Sequence, residues 1–214
     1  ASFDNTVKKI GHTLMGVFGA VSVAAIMKSS IKAWSDQETA MMKLSIAAQR
    51  FSRDAQKTYN EITKLSTQLQ RLTGIGDETT QELAALGLNL GVASERIVDA
   101  TQAATLMNMV VGVDSQTAMR GLTQTLQGQV GVLSRYIPEI STLTEEQLRN
   151  GEAIDLINRK YGDLTEQLSH TTQVGISRFK AALGDVGEVL GKTFNPLIQK
   201  AAGWMEDFSS KIEK

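Results

Sequence analysis

Apolar residues recur along this chain every three or four positions, and no stretch alternates at period two for long enough to make a strand. That spacing marks helices that bury one side. Residues 28–73 hold neither Gly nor Pro and can be written in heptads. Met41, Ala48, Ala55, Ile62 and Leu69 take one core position, and Leu44, Phe51, Thr58, Leu65 and Leu72 the other. Thr58 is the polar exception. A 3.5-residue repeat sustained this long predicts a coiled coil or a long packed hairpin. Leu44, Phe51, Ile62, Leu65, Leu69 and Leu72 are then the candidate seam for self-association. Gly74 supplies a left-handed stop and Ile75-Gly76 a turn.

Shorter elements follow, with readable punctuation. Asp77 is placed to cap a helix through about Leu86, which Gly87 and Gly91 break. Ser94 is placed to cap a helix through about Val111, with Ile97, Ala104 and Met107 on one face. Gly112 ends it, and Asp114 caps the next, through about Leu126. Gly128 and Gly131 predict a loop, and Ile137, preceding Pro138, is pushed out of the helical region. Thr144-Glu145-Glu146-Gln147 reads as a capping box, with Leu143 and Leu148 as its hydrophobic staple. Helix is expected to continue from there toward Tyr161, with Gly162 as its stop. From Phe179 to Ile212 the apolar residues form one amphipathic stripe, with Pro196 able to open a second helix after a break at Gly191.

The pattern therefore predicts an all-α chain in four parts. They are a Gly/Ala-rich hydrophobic helix (1–27), a long heptad-patterned helix (28–73), a Gly-punctuated module of short helices (74–162) and amphipathic C-terminal helices (163–214). Within the first part, residues 10–27 carry no charge and are flanked by Lys9 and Lys28. As a helix this run spans about 27 Å, just short of a ~30 Å hydrocarbon core. Gly16, Gly19 and Ala20 give it a small-residue face. It reads as a buried or self-associating helix, as a membrane-inserting segment, or as a signal peptide with Ser22-Val23-Ala24 at the cleavage point.

Composition narrows the function classes. The 214 residues carry 22 Lys+Arg and 23 Asp+Glu, a formal net charge of -1. A chain built to coat nucleic acid would be clearly basic, and no basic cluster here interleaves aromatics. Cysteine is absent, which excludes disulfides, thiolate metal sites and thiol catalysis. His12 and His170 have no partner at metal-ligand spacing. Glu145 and Glu146 sit where a helix first turn favours negative charge, which accounts for them without acid–base catalysis. Gly74-Ile75-Gly76 is followed by acids, not by the Lys of a phosphate loop. No nucleophile elbow occurs. Met41-Met42 and Met107-Asn108-Met109 read as gap-filling core. No enzyme activity and no cofactor are expected. The chain begins at Ala1, which predicts a processed chain or a piece of a longer one.

Leu133-Ser134-Arg135-Tyr136-Ile137-Pro138-Glu139-Ile140, then Leu143-Thr144-Glu145-Glu146-Gln147-Leu148, then Asn150-Gly151-Glu152-Ala153-Ile154-Asp155 resembles a segment of the tail tape measure proteins of long-tailed bacteriophages and prophages. Arg178-Phe179-Lys180-Ala181-Ala182-Leu183-Gly184-Asp185, with Leu190-Gly191-Lys192 and Asn195-Pro196-Leu197, is similar to the same family's helix–Gly–Pro–helix pattern. The Gly/Ala-rich run and the long helix after it are similar to the family as well.

The resemblance implies a structural virion protein that occupies the tail tube lumen, sets tail length during assembly and is released at DNA ejection. Its implied partners are the tail tube protein, tail assembly chaperones and tip or baseplate hub proteins. It would be found in the virion, in the host cytoplasm during assembly and at the host membrane on ejection. Leu133, Ser134, Arg135, Tyr136, Ile137, Pro138 and Glu139 are the candidate interaction segment, and no catalytic residue carries over. A helix adds ~1.5 Å per residue, so residue count can become distance, and residues 28–73 suit that role. The competing expectation is a membrane-active helical protein that inserts through 10–27 and helps a genome cross the host envelope.

Overall fold

The computed structural model describes residues 28–163 and, beyond them, residues 175, 177, 181, 184, 185, 187–189, 191, 192 and 195. The chain is all-α, with no strand among the described residues. The hydrophobic run 10–27 and most of the C-terminal stripe lie outside the described residues. Among those that are described, no helix is long and apolar enough to cross a membrane. Two units result: Ala1–Gln37 with Ala182–Lys214, and Glu38–Ala181. These boundaries differ from the four parts drawn from the pattern. Of the heptad residues, Leu44, Ala48, Ile62, Leu65 and Leu69 bury themselves in the same core as residues 83–157.

Residues 28–73 are not one helix. Helix α1 covers residues 28–51, entering the second unit at Glu38, and α2 covers Ala55–Thr73. Ser45 and Tyr59 would stand about 21 Å apart along one straight helix. Instead they line the same small cleft, so the chain turns back. The turn uses neither Gly nor Pro. The Ser52 hydroxyl donates to the Asp54 carbonyl (3.0 Å) and accepts from the Asp54 amide (3.2 Å). Asp54 then caps α2 by accepting the Lys57 amide at 2.9 Å. Short polar side chains compete for the backbone in this way wherever helix can be interrupted. At the far end of α2, Gly74 takes φ 72, the expected left-handed stop.

The remaining helices are α3 (Asp77–Asn89), α4 (Ile97–Leu106), α5 (Ser115–Leu126), α6 (Glu145–Arg149) and α7 (Glu152–Tyr161). Helix α4 packs on α2, α3, α5 and α7. Its Ala100, Ala103 and Ala104 are fully buried, small enough for several helices to pack close around it. A π-helical turn, Met107–Val111, continues α4 to Gly112, whose φ of 80 ends it. Asp114 caps α5 as its position predicts, accepting the Thr117 amide.

Several boundaries differ from the reading of the pattern. Gly76 occupies the capping position of α3, and Asp77 lies in its first turn. Gly87 does not break α3. It lies inside, where a Cβ would come within 2.6 Å of Ile97 Cδ1 and 2.9 Å of Met119 Sδ. The stop is Gly91, at φ 94. Ser94 does not cap α4, which begins at Ile97 with no side-chain cap. The helix from the capping box does not reach Tyr161 unbroken, because Gly151 at φ 88 separates α6 from α7.

Candidate functional site

The segment that carries the resemblance is built from two short 3-10 helices, Val132–Arg135 and Pro138–Thr142. Gly131, at φ 63, opens the first. Leu133 fits against Gly121 of α5, where a Cβ would lie 2.6 Å from Leu133 Cγ. Ile137 takes φ -131 and ψ 87, out of the helical region as its place before Pro138 requires. Leu133, Ile137 and Ile140 are fully buried. The Ser134 hydroxyl donates to the Gly131 carbonyl at 3.0 Å. Arg135, Tyr136, Pro138 and Glu139 remain exposed. The residues singled out from sequence thus divide into anchors, Leu133 and Ile137, and an outward set.

Glu139 is tied to α7, accepting from the Lys160 ammonium. That hydrogen bond holds the Glu139 carboxyl below its ordinary range and Lys160 above its own. Arg135 has no ion-pair partner among the described residues. The outward surface therefore offers one unpaired guanidinium beside a phenol ring.

Behind this segment the capping box forms in full. Gln147 donates its amide to Thr144 Oγ1 (3.2 Å), and its side-chain Oε1 accepts the Thr144 amide (2.9 Å). The α6–α7 junction is pinned by a residue the pattern gives no reason to select. Arg96 donates through Nη2 to the Gly151 carbonyl (3.0 Å) and Asp155 Oδ1 (2.7 Å). Its Nη1 reaches Asp99 Oδ2 at 3.3 Å. Gly151 takes a left-handed φ that favours glycine, and a Cβ there would push this guanidinium aside. The Asn150-Gly151 pair is a turn signal able to locate this break. Nothing local marks Arg96. Asn158 adds a second tie, donating to the Asp99 carbonyl at 3.1 Å.

The candidate oligomer seam is largely consumed inside the chain. Leu44, Ile62, Leu65 and Leu69 lie in the core of the second unit. Phe51, at the hairpin corner, is 47% exposed and Leu72 39%. The physical reason is the reversal at 52–54, which satisfies within one chain the heptad faces a coiled-coil partner would cover. Leu65, Leu69, Leu72 and Leu106 line a groove of about 500 Å³, and Arg71 is the one charged residue among the described residues that line it.

No group of three His, Cys, Asp or Glu that could hold a metal occurs among the described residues. His12 and His170 lie outside them. Glu145 sits in the first turn of α6 and accepts from Arg149 at 2.7 Å, a local helix pair. No family model matches the sequence, and neither a curated protein nor a solved structure matches it.

Proposed function

We propose that this chain is a structural segment of a phage or prophage tail tape measure protein, with a mechanical rather than enzymatic role. The observation that carries the reading is the contiguity of the segment on which the resemblance rests. Residues 133–155 form one run of 3-10 turns, boxed helix and α7, with apolar anchors inward and Arg135, Tyr136 and Glu139 outward. An exposed aromatic beside an unpaired guanidinium suits contact with another protein component.

Within this reading, residues 38–161 act as a folded docking module, not as ruler. A ruler converts residue number into length, and a helix that turns back at 52–54 gains no length for its added residues. The partners of that module are the tail tube protein, an assembly chaperone or a tip or hub protein.

The test is made in the tail-producing strain that encodes this chain. Mass spectrometry of purified tails is expected to find the protein, and Arg135→Glu with Tyr136→Ala is expected to cut tail yield while circular dichroism stays helical. Excising residues 55–68 is expected to abolish tails. A ruler would instead yield tails shorter by ~21 Å. Normal tails from a strain lacking the chain would overturn the reading.

A further inference from the structure

Asn150 and Gly151 form the one Asn-Gly pair in the sequence. An asparagine side chain before glycine is open to attack by its own main chain, because glycine puts no Cβ beside its nitrogen. Two other exposed asparagines, Asn60 and Asn89, are followed by the bulkier Glu61 and Leu90. Asn150 is exposed, so water reaches it and ammonia can leave.

In that attack the Gly151 nitrogen adds to Asn150 Cγ. An N–Cγ bond forms and the Cγ–Nδ2 bond breaks. The Nδ2 group leaves as ammonia, taking the proton that the Gly151 nitrogen gives up. Water then opens the five-membered imide. Opening at Cγ leaves an aspartate at position 150. Opening at the main-chain carbonyl leaves an isoaspartyl link, which runs the chain through Cγ and lengthens it by one atom. The net change is water in and ammonia out, with nothing oxidised or reduced.

The fold holds the atoms that this reaction must move. Asn150 sits at φ -75 and ψ -6, in the helical region. Its amide donates to the Glu146 carbonyl at 2.9 Å, and the Gly151 amide donates to the Leu148 carbonyl at 3.0 Å. The attacking nitrogen is thus already engaged as a donor. On its other side, the Gly151 carbonyl accepts from Arg96 Nη2 at 3.0 Å. The same Nη2 donates to Asp155 at 2.7 Å, and Nη1 reaches Asp99. Hydrogen bonds from a guanidinium are among the stronger ones, and this fork is anchored on both α4 and α7. Turning the 150–151 peptide toward Cγ breaks the Leu148 bond and pulls Gly151 against Arg96.

We propose that Asn150 is a deamidation site of the folded chain and that Arg96 governs its rate. While Arg96 grips Gly151, attack waits for the α6–α7 junction to open locally. The isoaspartyl product adds an atom and a carboxylate at this junction, which then no longer matches the contacts that Arg96 makes. The inference stands apart from the tail reading, because it concerns a reaction of the chain with itself and water, not what the chain assembles with.

Peptide mapping by mass spectrometry, with aspartate and isoaspartate resolved, tests it on the full chain held in mildly alkaline buffer. Asn150 is expected to convert faster than Asn60 and Asn89, and to yield both products. Its conversion is expected to be slower by about tenfold or more in the folded chain than in urea. Arg96→Ala is expected to speed conversion in the folded chain by about tenfold, the worth of a hydrogen bond from a charged group. Circular dichroism checks that this variant stays helical. Should it not, Arg96→Lys, which keeps the charge and loses the fork, takes its place. Faster conversion at Asn60 or Asn89 would overturn the site. Equal rates with and without urea, or a helical Arg96 variant that converts no faster than the parent chain, would overturn the role of Arg96.

Discussion

The helices of 38–73 and those of 77–161 share one core, yet they are joined by opposite means. The first pair turns on side chains: Ser52 and Asp54 fold the backbone back with no glycine present. The second group turns on glycine, and there glycine does two different jobs. Gly91, Gly112 and Gly151 have positive φ and end helices or turns. Gly87 and Gly121 are inside helices, where Ile97, Met119 and Leu133 press against the bare backbone. A glycine in a sequence is therefore not yet a boundary. The backbone angle decides, and whether a neighbouring element needs the space.

The largest effect expected from this comparison lies within one heptad register. Leu44 and Phe51 occupy equivalent positions seven residues apart. Leu44 is fully buried, while Phe51 at the hairpin corner is 47% exposed. Leu44→Ala is expected to lower unfolding free energy by about 3 kcal/mol through lost burial and the cavity left behind. Phe51→Ala is expected to change it by less than ~0.5 kcal/mol, as for exposed sites generally. Urea denaturation followed by circular dichroism measures both. Equal losses would mean that Phe51 is covered in solution, as a coiled coil between chains would require.

The two kinds of glycine give the next effect. Gly121→Ala is expected to cost about 2 kcal/mol, because its Cβ would meet Leu133 Cγ at 2.6 Å inside a filled core. Gly112→Ala meets nothing within 4 Å but must hold φ 80, which costs about 1 kcal/mol in left-handed strain. The two separate by rescue. Leu133→Ala should be less damaging in the Gly121→Ala background than in the parent chain, and should show no such coupling with Gly112→Ala. Additive losses at Gly121 and Leu133 would place the overpacking elsewhere.

These cases separate what is legible in the residues alone from what is not. The all-helical class, the Gly74 and Gly112 stops, the Asp114 cap and the Thr144 box follow from local chemistry within four or five residues, and the structure contains each of them. Gly87 reads as a break in the sequence and is none, because its reason for being glycine is Met119 and Ile97, residues distant in sequence. Arg96 carries no local signal for the same cause, since its partners Gly151 and Asp155 lie 55 and 59 positions away. The hairpin at 52–54 is the converse. Its signal, Ser52 and Asp54, is local, but neither Gly nor Pro marks it and the heptads run on through it. At the candidate site, the pre-proline bend at Ile137 is legible, whereas the division into buried anchors and outward Arg135 and Tyr136 depends on the position of α5.

The smallest effect concerns the local caps, and it carries a pH signature. Asp114 accepts the Thr117 amide at 2.9 Å and the Thr117 hydroxyl at 3.1 Å. These bonds, the backbone one first, hold its carboxyl below the ordinary value. A carboxyl whose folded pKa is depressed contributes stability above its unfolded value, about 3.9, and loses it as pH falls through the folded value. Asp114→Ala removes the acceptor and is expected to cost about 1 kcal/mol near neutral pH. Asp114→Asn keeps an oxygen for the Thr117 amide without the titration, so it should cost only a fraction of that. The stability gap between the parent chain and its Asp114→Asn variant should be constant above about pH 5 and shrink progressively below about pH 4. Measured by urea denaturation across that range, a gap that stays flat would show that the cap works through its geometry alone, with the carboxylate charge adding nothing.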